Sequence, residues 1–60
     1  MTWQQQAFIQ QLRHTKSFID EALAAIIDEG PTALMAETVA KIVRDDAKKL
    51  VMLAKEVGKN

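Results

Sequence analysis

The 60-residue chain has no cysteine and no tyrosine, one proline, two glycines and one histidine, and aromatic residues make up only 5% of it. Without cysteine there is no disulfide, and one histidine cannot provide a structural zinc site within a single chain. Eight basic residues balance eight acidic ones, so no overall charge draws the chain to nucleic acid or to an anionic membrane. Because a domain this small is marginal alone, oligomerisation is the remaining source of stability.

Long hydrophobic runs are also missing. No run approaches the ~20 residues of a transmembrane helix, and the polar residues 2–6 are unlike the basic and apolar regions of a signal peptide. We therefore expect a cytoplasmic protein that does not bind membranes. The sequence has no glycine-rich phosphate loop, no metal-ligand cluster and no nucleophile paired with a base, so we expect neither enzymatic activity nor a cofactor.

What the chain does have is helical apolar spacing on both sides of Gly30-Pro31. Thr2 followed by Gln5 is a capping-box pattern, which predicts a first helix over about residues 3–28. Glycine commonly follows a helix and proline commonly starts one, so we predict a turn at about 29–31 and a second helix at about 32–57. A short connection makes two helices antiparallel neighbours. The sequence thus predicts one all-α helical hairpin, a single domain covering residues 1–60.

The apolar residues are arranged symmetrically about the turn, so residues equidistant from it face each other in an antiparallel hairpin. Further core positions are expected at Leu12, Leu23 and Leu50. The pairs predicted by this register are Phe8 with Leu53, Ile19 with Ile42, Ala22 with Val39 and Ile26 with Met35.

Other apolar residues flank this line of contact and widen the stripe beyond what one partner helix covers. They are Ile9, Phe18 and Ile27 on the first helix, and Ala36, Ala40, Ala47, Val51 and Ala54 on the second. We therefore predict that two hairpins form a homodimeric antiparallel four-helix bundle, in which the small alanines allow the helices to approach closely.

The same register places Thr15 opposite Asp46 in the middle of the apolar line. An unpaired buried carboxylate costs several kcal/mol, so Asp46 needs a partner. One interpretation is a polar core layer, in which Thr15 donates a hydrogen bond, Lys16 or Lys49 reaches the carboxylate, and register and oligomeric state are specified. The other is a pH-sensitive switch, in which a two-fold axis brings two Asp46 side chains together and the assembly loosens as pH rises. The sequence leaves both open.

A second stripe on the first helix contains Trp3, Gln11, His14 and Phe18. Aromatic residues are enriched as anchors of protein interfaces, so this stripe is a candidate face for binding a protein partner. In the alternative, Phe18 packs at the dimer interface and Trp3 covers the end of the bundle beside Val57. From this stripe and the predicted bundle, we expect a small interaction or regulatory protein that acts on another protein.

Nucleic-acid binding is the chief alternative function. Basic residues on the outer flanks of the helices supply its candidate contacts, although acidic residues lie between them. These candidates are Arg13, Lys16, Lys41, Arg44 and Lys48. In length, in its helical hairpin and in the aromatics of its first helix, the chain resembles the repressor-of-primer type of plasmid RNA-binding hairpin dimer. The resemblance implies RNA binding, but it shares no motif with this chain, so no binding residue is transferred.

The segment Arg13-His14-Thr15-Lys16 favours a lesser alternative, phosphotransfer through His14. A phosphorylated histidine needs an exposed imidazole with cations nearby to balance the phosphoryl charge. The helical-hairpin dimers of sensor kinases and phosphotransfer domains are similar in outline to this chain over that short segment.

Overall fold

The computed structural model describes residues 1–59, which fold into two α-helices with no strand among them. Helix α1 spans Trp3–Glu29 and helix α2 spans Ala33–Gly58. The helices pack against each other as a flat rod of 44 × 17 × 9 Å. The predicted all-α hairpin is thereby confirmed, and the helix bounds lie within one residue of those expected.

Both helix starts are capped by threonine side chains. The Thr2 hydroxyl accepts a hydrogen bond from the Gln5 amide at 3.2 Å, and the Gln5 side-chain oxygen accepts one from the Thr2 amide at 2.9 Å. This reciprocal pair is the predicted capping box. Helix α2 starts in the same manner, because the Thr32 hydroxyl accepts from the Met35 amide at 3.1 Å. Each cap satisfies a backbone donor that the first helical turn leaves unpaired.

The turn between the helices depends on the backbone conformation of Gly30. Its φ of 82° and ψ of 147° lie in a region of backbone conformation that residues other than glycine rarely adopt. The Gly30 amide donates to the Ile26 carbonyl at 2.8 Å, which closes the end of helix α1. Pro31 follows and leads into the Thr32 cap.

Gly30→Ala should therefore destabilise the fold, whereas Gly58→Ala should not. A Cβ atom would meet no neighbour within 4 Å at either glycine, so the two variants differ in backbone conformation alone. We expect a loss of about 1–3 kcal/mol for Gly30→Ala and a gain of up to about 1 kcal/mol for Gly58→Ala, which lies within a helix. Thermal unfolding followed by circular dichroism measures both. Equal melting temperatures for the two variants would contradict this explanation of the turn.

The predicted register is visible in the burial pattern of the two helices. Seven pairs of buried or half-buried residues are equidistant from the turn, and together they define the seam of the hairpin. The pairs are Gln4 with Val57, Phe8 with Leu53, Gln11 with Leu50, Thr15 with Asp46, Phe18 with Val43, Ala22 with Val39, and Ile26 with Met35.

One layer of the seam differs from the prediction. Phe18 and Val43 are half-buried there, whereas Ile19 and Ile42 are 42% and 37% exposed. The register is unchanged, but helix α1 presents the preceding residue to the seam. Contact between two helices follows alternating steps of three and four residues, and Ile19 is rotated by about 100° from Phe18. For the same reason Leu12 and Leu23, expected in the core, are 48% and 53% exposed.

The hairpin has no hydrophobic core of its own. Among residues 1–59 no apolar side chain is fully buried, and the two buried residues are Thr15 and Asp46, at 7% and 6% exposure. Over that same range, neither helix contains a stretch both long and apolar enough to cross a membrane.

Candidate functional site

The most buried part of the molecule is a short chain of polar side chains across the seam. The Thr15 hydroxyl donates a hydrogen bond to Asp46 Oδ2 at 3.1 Å. The amide of Gln11, one turn before Thr15 on helix α1, donates to the Thr15 hydroxyl at 3.3 Å. The half-buried Gln11 thus donates to Thr15, and Thr15 in turn donates to the Asp46 carboxylate. The sequence pairing of Thr15 with Asp46 did not anticipate Gln11, although its spacing of four residues from Thr15 was a usable signal.

The lysines expected at Asp46 are not there. Lys16 pairs with Asp20 at 3.0 Å, and both of those side chains are largely exposed. Lys49 is exposed, and no ion pair within residues 1–59 involves Asp46. Lys16 lies about 100° around helix α1 from Thr15, and Asp20 is one turn further along the same surface. The Lys16 ammonium therefore pairs with the exposed Asp20 carboxylate on the same helix, away from the seam.

One broad side of the hairpin is apolar. Both helices are right-handed and antiparallel, so residues about a quarter of a turn past the seam project to the same side from each helix. We call this side the apolar face. It consists of Leu12, Ile19 and Leu23 from α1 and Ala36, Ala40, Ala47, Val51 and Ala54 from α2, all of them exposed. These eight side chains are uncharged, while Lys16, which follows Thr15, and Arg44, which follows Val43, project to the same side among them.

The opposite broad side holds a small cleft next to the polar layer. Its volume is about 270 Å³. We call it the acidic cleft, and it is lined by His14, Ser17, Phe18, Glu21, Ile42 and Asp46. His14, Ser17 and Glu21 are exposed residues of α1, at spacings of three and four, so they share one side of that helix. No sequence pattern links Glu21 to Asp46, because only the packing of the two helices brings these residues to the same cleft.

The four residues of the candidate partner-binding stripe have different environments. Trp3 is 73% exposed and His14 is exposed, so both are accessible. Gln11 and Phe18 are half-buried in the seam, where Gln11 bonds to Thr15. His14 and Phe18 both line the acidic cleft.

The candidate nucleic-acid contacts fall on two sides of the hairpin. All five basic side chains are exposed, and Lys41, Arg44 and Lys48, at spacings of three and four, share the side of α2 that points away from the seam. Arg13 points away from the seam on α1, and Lys16 is engaged by Asp20.

The two cations next to His14 in the sequence project from other sides of α1. Arg13 and Lys16 are rotated from His14 by about 100° and 160°, and the acidic residues Glu21 and Asp46 line the cleft with it. Within the described residues, no set of three histidine, cysteine, aspartate or glutamate side chains is placed to hold a metal ion.

Comparison with known proteins identifies no relative of this chain. No protein-family model matches it, and neither a curated protein nor a solved structure is detectably similar to it. The geometry of the two faces is therefore the basis for assigning a function.

Proposed function

We propose that this chain is a non-enzymatic interaction module that dimerises through its apolar face into an antiparallel four-helix bundle and binds a protein partner with its opposite face. The observation that carries the proposal is the absence of any fully buried apolar side chain within residues 1–59, together with a predominantly apolar face on one side of the hairpin. Burial of apolar surface is the main favourable term in folding, and a single hairpin leaves most of it unused.

The accessible surface area supports a dimer. The hairpin exposes 4806 Å², whereas a compact monomer of 6.7 kDa exposes about 3,900 Å². The excess is about 900 Å², close to the ~800 Å² that each partner contributes to a standard stable interface. We therefore expect a second copy on the apolar face to bury about this area.

The side chains of the apolar face also suit a second copy of the same chain. Helix α1 contributes large residues and helix α2 contributes mainly alanines, so each face offers both projections and shallow positions. A two-fold axis places the leucines of one copy over the alanines of the other, which is the self-complementarity that a symmetric dimer requires.

The partner face is then the side that carries His14, Glu21 and the accessible part of Phe18, because the dimer leaves it open. Its mixture of aromatic and polar groups is typical of protein-binding surfaces. We place the module in the cytoplasm, as expected for a polar chain without cysteine.

Light scattering coupled to size exclusion tests the dimer. We expect about 13 kDa, twice the 6.7 kDa of one chain, at both low and moderate salt, because a packed apolar interface responds little to ionic strength. A mass of 6.7 kDa at every concentration would overturn the dimer.

The nucleic-acid alternative makes a different prediction for the same samples. If the basic residues bind RNA, a labelled RNA hairpin should bind at low salt and lose affinity steeply between about 50 and 200 mM salt. We expect no such binding, because acidic residues lie between the basic ones and the chain carries no net charge.

A further inference from the structure

The acidic cleft contains a buried carboxylate that is only half satisfied. Asp46 is 6% exposed, and its single hydrogen bond comes from the neutral Thr15 hydroxyl to Oδ2. No group among residues 1–59 bonds to the other oxygen, Oδ1. Every fully buried side-chain nitrogen or oxygen in that range has a hydrogen-bond partner. Oδ1 has none, so it is accessible from solvent, and Asp46 opens to solvent at the cleft.

The cleft holds two carboxylates and no lysine or arginine. Asp46 and Glu21 both line it, while His14 and Ser17 add polar atoms. Lys16 on α1 is held by Asp20 on another side of the helix, and Lys49, one turn after Asp46 on α2, forms no ion pair with it. No cation of residues 1–59 pairs with either carboxylate in the cleft, so the cleft is electrostatically complementary to a positive group.

We propose that the acidic cleft binds the guanidinium group of an arginine side chain presented by a protein partner. A guanidinium offers several donors in one plane, which suits Oδ1 of Asp46 together with the carboxylate of Glu21. The aromatic ring of Phe18 and the aliphatic side chain of Ile42 form apolar walls for the arginine stem, and the ring attracts a cation.

The size of the cleft is compatible with a single side chain. At about 270 Å³ it is smaller than the ~300–1,000 Å³ of sites for drug-sized ligands. A metal ion is not favoured, because the cleft residues do not form a set placed to hold one. The inference rests on the partner-binding part of the proposed function. It does not require the dimer, since the cleft and the apolar face lie on opposite sides.

Nuclear magnetic resonance of the full chain tests this proposal with two tripeptides, acetyl-Gly-Arg-Gly-amide and the same peptide with neutral citrulline in place of arginine. The arginine peptide should cause saturable shifts of the Ser17, Glu21 and Ile42 amide signals, and the citrulline peptide should cause none. Equal responses to the two peptides, or no response to either, would overturn the proposal.

Three variants assign the binding to the cleft. Asp46→Asn, which keeps an oxygen that can accept from Thr15, should weaken binding of the arginine peptide at least tenfold. Glu21→Gln, at an exposed position, should weaken the same binding about threefold. Asp45→Asn is the matched control, because Asp45 is an exposed carboxylate that does not line the cleft, and it should change the affinity less than twofold. Equal effects of Asp45→Asn and Asp46→Asn would overturn the proposal.

Light scattering on the same samples separates this inference from the dimer. A dimer that ignores the arginine peptide refutes the cleft alone, whereas a monomer that binds the peptide refutes the dimer alone.

Discussion

Replacing Ala40 by glutamate should convert the protein from a dimer to a monomer and lower its melting temperature. Ala40 is an exposed residue of the apolar face, which is the proposed interface. Each protomer then buries a carboxylate without a partner, at a cost of several kcal/mol. Since each tenfold in affinity is worth about 1.4 kcal/mol, two such penalties raise the dissociation constant about a thousandfold or more.

Ala24→Glu is the matched control for this prediction. It makes the same substitution and the same change of charge at an exposed position of α1 that points away from the seam. Light scattering and thermal unfolding at several protein concentrations compare the two variants. We expect Ala24→Glu to remain a dimer whose melting temperature rises with concentration, as binding linkage requires. A dimeric Ala40→Glu would show that the apolar face is not the interface.

The double variant Thr15→Val, Asp46→Leu should melt at a higher temperature than the natural chain. Asp46 accepts one hydrogen bond, from the neutral Thr15 hydroxyl, and no cation of the described residues forms an ion pair with it. Little therefore offsets the cost of burying its carboxylate. Replacing buried polar or ionic groups by apolar ones of similar volume is often stabilising by about 1–4 kcal/mol. At about 4–8 °C per kcal/mol for a domain of this size, the expected rise is easily measured by thermal unfolding.

The single variants separate the two parts of this layer. Thr15→Val alone leaves the Asp46 carboxylate without its donor and should destabilise the fold by about 1–3 kcal/mol. If the polar layer specifies the oligomer at the expense of stability, the double variant should also show several oligomeric states in light scattering. A double variant that melts lower, as a single dimeric species, would mean that the layer is a net stabilising network.

The features that depend on neighbouring residues were predictable from the sequence. Thr2 and Gln5 form the capping box, and Gly30 and Pro31 separate the helices, because these effects act within one turn of backbone. The register was predictable as well, since a tight turn leaves residues equidistant from it opposite each other. That symmetry places Thr15 opposite Asp46, and the two side chains are hydrogen-bonded in the structure.

Rotation of each helix about its own axis was not predictable in the same way. The apolar residues of α1 cover a stripe wider than one seam, so periodicity alone does not distinguish Phe18 from Ile19 at a given layer. Packing against α2 decides it, and Phe18 lies in the seam while Ile19 joins the apolar face. The same rotation determines which candidate binding residues remain accessible.

The local order of residues thus determined the two helices, their caps, the turn and the antiparallel register, because each follows from backbone preferences over a few residues. The tertiary structure alone determined which residues share a surface. Gln11 reaches Thr15, Lys16 turns to Asp20, and Glu21 shares a cleft with Asp46. These relations depend on how two helices cross in space, since side chains far apart in sequence interact only after packing has set the distance and angle between them.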